Sequence, residues 1–539
     1  MKSDFCVIIP AVKKNVAFAD DLVKKLDGIS LIKRVIDKAS QLTNAKHIYV
    51  VTDTDEINSI CIRSGINGVY KANLNLKSQT FYRDILFFIG RIRKKYNNII
   101  VTSPYSPLVK AEILRDAYQQ FLLEGPDLML PVELREQNLF NITMGNIHEF
   151  NTANVRTKFS IQLGVFQILS TKLLFIDKEK SFTISPFTLN HEFTEITNYQ
   201  DWWICEKLLR RRRIVFNIIG SQQDGMGHIY RALTLAHEIS DHEVMFICEE
   251  GNSEVATKFA SKDYWFEVYK PNQLFEFIIS LKPDMVINDI LDTDAGHIKA
   301  LKRQQIKVVN FEDFGLGALE ADLTINELFD EEEIEGGNIL WGMDYFCLRE
   351  EFIDAKPRLF NQQVKKLLIT FGGTDAQDLT LTILNAVVDF CQEKNIRIYI
   401  VAGAGYLHKD KLIAEIDRFS YHNIEFTHAT GVMSTIMEQV DIAISSNGRT
   451  TYELAHMNVP TIIISQHSRE STHKFTSIDN GFLNLDVFKG DETSQKVLSY
   501  LKVIVHDSNL RKLLHKKMEQ FDFSQNKKRI LQKILEILE

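Results

Sequence analysis

The chain has 539 residues, 45% of them hydrophobic and 25% charged, the balance of a globular protein, which excludes a disordered or fibrous chain. Its net charge of −8 argues against a nucleic-acid-binding protein. Cys6, Cys61, Cys205, Cys248, Cys347 and Cys391 form no C-x-x-C pair, which excludes an obvious zinc or redox motif, and no apolar run approaches the roughly 18 residues of a membrane helix.

At about 150 residues per domain, the length implies roughly three or four domains. The start, MKSDFCVIIPA, reads as a first strand rather than a signal peptide, and with the scattered cysteines predicts a soluble, cytoplasmic protein. Residues 5–9 read as a buried strand, 31–39 as a helix and 48–51 as a second strand ending in Thr52-Asp53. Residues 99–102 form a third strand and 128–132 a fourth, and 201–209 read as a closing helix. Strands alternating with helical stretches predict an α/β fold with a mostly parallel, doubly wound sheet. The basic run Lys207, Arg210, Arg211, Arg212 and Arg213 reads as a solvated face, and the boundary is placed at 212.

Within the first domain, 1–212, nearly all of residues 1–205 resembles the cytidylyltransferases that make CMP-activated nonulosonic (sialic- or pseudaminic-type) acids, on the landmarks Ile8-Ile9-Pro10-Ala11, Val51-Thr52-Asp53, Ser106-Pro107-Leu108 and Asp201. The resemblance implies a Rossmann-like nucleotidyltransferase fold with CTP or a CMP-sugar as ligand and magnesium as cofactor. Two departures argue against activity. Where the family has a glycine-rich triphosphate loop, this chain reads Val12-Lys13-Lys14-Asn15-Val16-Ala17-Phe18, with no glycine to let the backbone approach phosphate. Where the family has a paired carboxylate for magnesium, it reads Glu195-Ile196-Thr197. The expectation is a degenerate nucleotide site around Lys13, Lys14, Asp53 and Asp201, needing magnesium only if the domain is active.

The second module opens with an apolar run at 214–219, a glycine turn from Gly220 to Gly227, and His228 at the start of a helical pattern. Strand, glycine turn and helix put groups at the carboxyl edge of a parallel sheet, and a histidine there can move a proton near neutral pH. Apolar runs at 244–248, 285–288, 308–311 and 323–325 predict further strands, three of them ending in Asp289, Glu312-Asp313 and Asn326. Residues 331–360 read as a hinge region. A second Rossmann-like unit has its first strand at 367–371, a turn Gly372-Gly373-Thr374-Asp375 and a helix at 379–390. A later strand at 441–445 runs into Ser446-Asn447-Gly448-Arg449-Thr450-Thr451, with Glu453 in the following helix, a pattern suited to a diphosphate and a ribose.

Two Rossmann-like halves, 213–355 and 356–539, describe a GT-B-like pair. Gly225-Met226-Gly227-His228 with Arg231, Phe371-Gly372-Gly373-Thr374-Asp375, Ser446 to Glu453, and Leu348-Arg349-Glu350-Glu351-Phe352 together resemble the UDP-2,4-diacetamido-2,4,6-trideoxy-β-L-altropyranose hydrolases of pseudaminic acid biosynthesis. The resemblance implies a nucleotide-sugar hydrolase without a metal or other cofactor, in which His228 activates water for attack on the anomeric carbon. It also implies UDP and sugar contacts from Gly225, Gly227, Arg231, Gly372, Gly373, Thr374, Asn447, Gly448, Thr450 and Thr451. Glu453 would bind ribose, and Asp289 or Asn326 the sugar. A GT-B glycosyltransferase and a non-catalytic nucleotide-sugar scaffold are the alternatives. The tail from Glu492 is helical in pattern and reads as core-covering helices, with a homodimer seam as the alternative.

Overall fold

The computed structural model describes residues 3–12, 21–70, 88, 90–92, 94–137, 140–143, 146–149, 157–175, 182–189, 193–220, 226–253, 256–257 and 260–538. The chain forms two compact units, Met1–Arg211 and Arg212–Glu539.

The first unit is built on an eight-stranded sheet. Ser3–Ala11 lies between Ile48–Thr52 and Tyr96–Thr102, parallel to both, and Asn67–Tyr70 extends that parallel half. The sheet then turns mixed. Phe166–Ser170 is inserted antiparallel between Tyr96–Thr102 and Leu128–Gln137, and Thr157–Gln162 pairs antiparallel on the far side of Leu128–Gln137. With Ile184–Leu189 parallel to Leu128–Gln137, six of the eight strands run in one direction, so the sheet is mostly parallel as expected, with Phe166–Ser170 and Thr157–Gln162 opposed to the rest. A short buried run such as FQILS has the same apolar pattern in either direction, so its orientation comes from the connection rather than the strand. The helix Tyr199–Arg210 closes the unit and buries Trp202 and Cys205.

The second unit holds two fully parallel sheets. The first runs in the spatial order Trp265–Tyr269, Glu243–Glu249, Arg213–Ile218, Met285–Asp289, Lys307–Phe311, Leu323–Asn326, Ile339–Trp341. The second runs Ile424–His428, Arg397–Ala402, Lys366–Thr370, Ile442–Ser445, Thr461–Ser465, Phe482–Val487. In each sheet the chain winds outward from its first strand and then returns to that strand's other side. This leaves a topological switch point, where α/β sheets bind ligands beyond the carboxyl ends of the strands. In the first sheet the switch lies between Arg213–Ile218 and Met285–Asp289, and in the second between Lys366–Thr370 and Ile442–Ser445. This pair of parallel α/β halves is the GT-B-like arrangement.

The strands are buried on both faces, which is why they read as continuous apolar runs. One polar feature crosses the first sheet. Asn217 donates to Asn288 and Asn288 to Asn310, at 3.1 and 2.9 Å, each amide satisfying the next on adjacent strands.

The tail helices cover core, as the alternation of Val497, Leu501, Leu514, Ile530 and Ile534 requires, all of them nearly inaccessible to solvent. Asp491–His506 packs on the second sheet, whereas Asn526–Leu538 crosses back to the first and joins its core through Ile530 and Ile534. Lys527 pairs there with Glu238 at 2.5 Å and also with Glu350. The last helix therefore ties the two halves together. Ile534→Ala is expected to lower the unfolding free energy of the full chain by about 2–5 kcal/mol, read from denaturant unfolding.

Candidate active site

The two switch points meet at a cavity of about 290 Å³. Close approach of the halves depends on glycines. A Cβ on Gly373 would lie 2.7 Å from the Met226 side chain, and one on Gly227 would lie 2.8 Å from Cδ of Arg449. Gly372 has φ +77°, a left-handed conformation that a side chain disfavours.

His228 is in the first turn of the helix Gly227–Glu238, beyond the strand Arg213–Ile218, and Asp289 ends the neighbouring strand, in register with Ile218. Their side chains meet: Nδ1 of His228 lies 2.5 Å from Oδ1 of Asp289. Asp289 is buried, which alone raises a carboxyl pKa, but Arg231 and His228 outweigh burial and hold it well below the usual carboxylate range. An ionised carboxylate can only accept, so Nδ1 carries the hydrogen and Nε2 is left as the basic nitrogen.

Arg231, one turn further along the helix, is buried and organises the floor of the cavity. It grips Asp289 twice, Nε to Oδ2 at 2.8 Å and Nη2 to Oδ1 at 2.5 Å, and its Nη1 reaches Glu327 at 2.7 Å and Glu312 at 3.3 Å. Its guanidinium stacks 4.8 Å from the centre of the Phe311 ring. From the other half, Arg449 also pairs with Glu327, donates to the Cys347 carbonyl at 2.6 Å and stacks on Phe346. Burial, and the like charge of Arg231, push the Arg449 pKa down to about 9.

The cavity brings together Gly227, His228, Arg231, Gly372, Gly373, Thr374, Gly448, Thr450 and Glu453 from the residues expected on sequence. It does not bring in four others. Asp289 lies beneath His228 with both oxygens engaged, so it orients the histidine rather than meeting a sugar. Asn326 is fully buried, its amide bonded to the backbone N–H and carbonyl of Asp313. Asn447 donates to the carbonyls of Glu470 and His473 and accepts from Thr476. Thr451 is buried and donates to the Gly448 carbonyl. Gly225 lies outside the described residues. Glu453 reaches the cavity, yet Arg349 holds both its oxygens, at 2.6 and 2.9 Å. Asp375 closes its own turn, its two oxygens accepting from the Leu379 and Thr380 N–H groups at 2.8 Å each, so those helix donors are already taken.

Glu312, one of the polar strand ends named on sequence, also lines the cavity, and five further lining residues were not among those expected: Arg349, Arg449, Arg469, Glu470 and His473. Arg349 and Arg449 lay inside motifs already recognised. The other three sit in the 466–473 segment, where sequence offers no period or spacing to single them out.

In the first unit, Lys13 and Lys14 lie outside the described residues, and Asp53 follows the strand Ile48–Thr52. Asp201 belongs to a capping box: its Oδ2 accepts from Thr197 N–H at 2.8 Å, Thr197 Oγ1 at 2.6 Å and Asn198 N–H at 3.2 Å. Burial raises the Glu195 pKa. A carboxylate spent on a helix cap beside one biased toward its neutral form does not fit a magnesium site, which needs ionised oxygens free to coordinate.

Glu470 stands beside Gly448, and burial pushes its pKa up to about 7 despite hydrogen bonds from the backbone at Gln466 and Asn447. A folded pKa above the unfolded value of about 4.5 gives a contribution to stability that is complete below that pH and is lost as pH rises through 7. The melting temperature of the wild type should therefore fall between about pH 5 and 8 relative to that of Glu470→Gln, measured across that range.

Residues 366–534 match the glycosyltransferase family 28 C-terminal domain. An uncharacterised protein of Methanocaldococcus jannaschii is 27% identical over 270 residues, 46% of this chain and 54% of that one, so the chain spans about half the length of this relative. The spore coat polysaccharide biosynthesis protein SpsG of Bacillus subtilis is 27% identical over 312 residues, 55% of this chain and 90% of that one. The pseudaminic acid cytidylyltransferase and UDP-2,4-diacetamido-2,4,6-trideoxy-β-L-altropyranose hydrolase of Helicobacter pylori is 25% identical over 207 residues, 38% of this chain and 33% of that one. Residues 366–534 thus resemble a glycosyltransferase family 28 C-terminal domain, and the chain resembles a CMP-nonulosonic acid cytidylyltransferase-like domain joined to a GT-B-like UDP-sugar hydrolase.

Proposed function

We propose that the unit Arg212–Glu539 is a nucleotide-sugar hydrolase that releases UDP and a free 2,4-diacetamido-2,4,6-trideoxyhexose for nonulosonic acid biosynthesis. The observation that carries this reading is the pairing of His228 Nδ1 with Asp289 at 2.5 Å, on the wall of the cavity between two sheet switch points. With Nδ1–H held by an ionised carboxylate, Nε2 takes a proton from water as the water oxygen bonds to the anomeric carbon. The bond from that carbon to the β-phosphate oxygen breaks, and its electron pair leaves with UDP. Asp289 stabilises the imidazolium that forms.

The departing charge falls on the diphosphate. Gly372, Gly373, Thr374, Gly448 and Thr450 offer backbone and hydroxyl groups on that side of the cavity. Among the lining arginines, Arg469 is held least tightly, by a 3.5 Å contact to the Glu312 carbonyl and a 4.0 Å pair with Asp292, which suits it to follow a phosphate. No metal enters this scheme, and the chemistry asked of the protein is one proton transfer and charge stabilisation.

A transferase on the same scaffold is the second reading. It is favoured by Leu316 and Leu319, 72% and 41% exposed on the loop that follows Glu312, an apolar surface suited to a lipid-linked acceptor. There an acceptor hydroxyl replaces water at His228.

The test is UDP release from a panel of UDP-diacetamido-trideoxyhexoses without acceptor. Release by the wild type, lowered roughly a hundred- to ten-thousand-fold in His228→Ala, is expected. Tight UDP-sugar binding with release only when a lipid or sugar acceptor is added would replace the hydrolase by the transferase, and binding without release under any condition would leave a scaffold. The first unit is expected to release no pyrophosphate from CTP, magnesium and a nonulosonic acid acceptor in the full chain, because Asp201 is committed to a helix cap and Glu195 to burial; measurable release would overturn that assignment.

A further inference from the structure

Among the described residues, Glu312 is the cavity carboxylate whose hydrogen bonding is incomplete. It follows the strand Lys307–Phe311, lines the cavity and is 4% exposed. Its Oε1 is saturated, accepting from Glu327 N–H at 2.9 Å, Leu328 N–H at 3.3 Å and Arg231 Nη1 at 3.3 Å. Its Oε2 is buried with no partner among the described residues. A buried carboxylate oxygen left unsatisfied is costly, and native structures retain few of them. The backbone carries a second cost: Glu312 has φ +52°, a left-handed conformation that a glutamate rarely adopts, fixed by its N–H bond to the Ile325 carbonyl at 3.1 Å. Strain and an orphaned acceptor at one residue, inside a cavity, mark a group built to meet a ligand.

The character of that ligand follows from the surroundings. A carboxylate repels phosphate, so Oε2 meets a neutral hydrogen-bond donor. Arg231 joins Glu312 to the reacting end of the cavity, because its Nη1 bonds Glu312 while its Nη2 lies 3.5 Å from Nδ1 of His228. We infer that Glu312 is a specificity residue whose Oε2 accepts a hydrogen bond from an N–H or O–H group on the sugar ring of the nucleotide sugar, next to the anomeric carbon attacked at His228. This rests on the nucleotide-sugar reading above for the identity of the ligand, but not on hydrolysis.

The experiment measures binding rather than turnover. UDP and a UDP-2,4-diacetamido-2,4,6-trideoxyhexose are titrated into the full chain carrying His228→Ala, with and without Glu312→Gln, by calorimetry. Glutamine keeps the carbonyl that Oε1 uses and places a donor where Oε2 accepts. Glu312→Asp keeps the charge but withdraws the oxygen. Both are expected to weaken the UDP-sugar about tenfold to a hundredfold while UDP affinity stays within about twofold. Equal weakening of UDP and UDP-sugar would mean that Glu312 only supports the fold of the cavity, and no change in either would mean that Oε2 meets nothing; each overturns the inference. Glu312-dependent binding without UDP release from the parent chain would retain the inference and refute the hydrolase. Release with an unchanged KM in Glu312→Gln would do the reverse.

Discussion

The site depends on one buried cation. Arg231 is inaccessible to solvent and faces three carboxylates, Asp289, Glu312 and Glu327, which arrive from three consecutive strands of the first parallel sheet of the second unit. Burying any of these groups alone would cost several kcal/mol, so the cluster exists only as a whole. Its geometry then sets everything nearby. Asp289 is kept ionised and aims His228, Glu312 is fixed with one oxygen spent and one spare, and Glu327 is shared with Arg449 from the opposite half. The arrangement costs stability relative to an apolar core, and what it yields is a fixed set of charges on the cavity wall.

Closure of the two halves is the second constraint. Gly373 admits Met226 and Gly227 admits Arg449 across the halves, while within the second half a Cβ on Gly403 would lie 2.3 Å from the Gly373 carbonyl oxygen. The turns are glycine-rich because two sheet edges meet there, before any phosphate is considered. Elsewhere the halves are joined by Arg349, which grips Glu453, and by the last helix, whose Ile530 and Ile534 enter the first sheet's core. The stack of Phe346, Tyr452 and Phe475, with ring centres 4.4 and 4.0 Å apart, anchors the segment that carries Arg449 and Glu453.

In the first unit, acidic side chains serve the fold. Asp201 closes a helix cap, and Glu195 packs where a Cβ on Gly164 would collide with its carboxylate. The sheet beside them has a parallel half, with Phe166–Ser170 inserted antiparallel next to it.

Local pattern determined much of this protein. The buried parallel strands appear as apolar runs, the glycine turns as punctuation between strand and helix, and His228 as the first polar side chain after the turn, because these are properties of contiguous residues. The tail helices followed from their spacing for the same reason. Direction and partnership were decided only in three dimensions. Nothing in FQILS distinguishes a parallel from an antiparallel strand, and Asp289 and Asn326 look alike as polar strand ends. Yet Asp289 lies at the switch point beside His228, while Asn326, two strands further across the sheet, is consumed by the backbone of Asp313. Glu453 looks like a free ribose ligand until Arg349, 104 residues earlier in the chain, is seen to hold it. A side chain's role depends on which partners satisfy it, and in a doubly wound sheet those partners come from distant strands that sequence order does not place together.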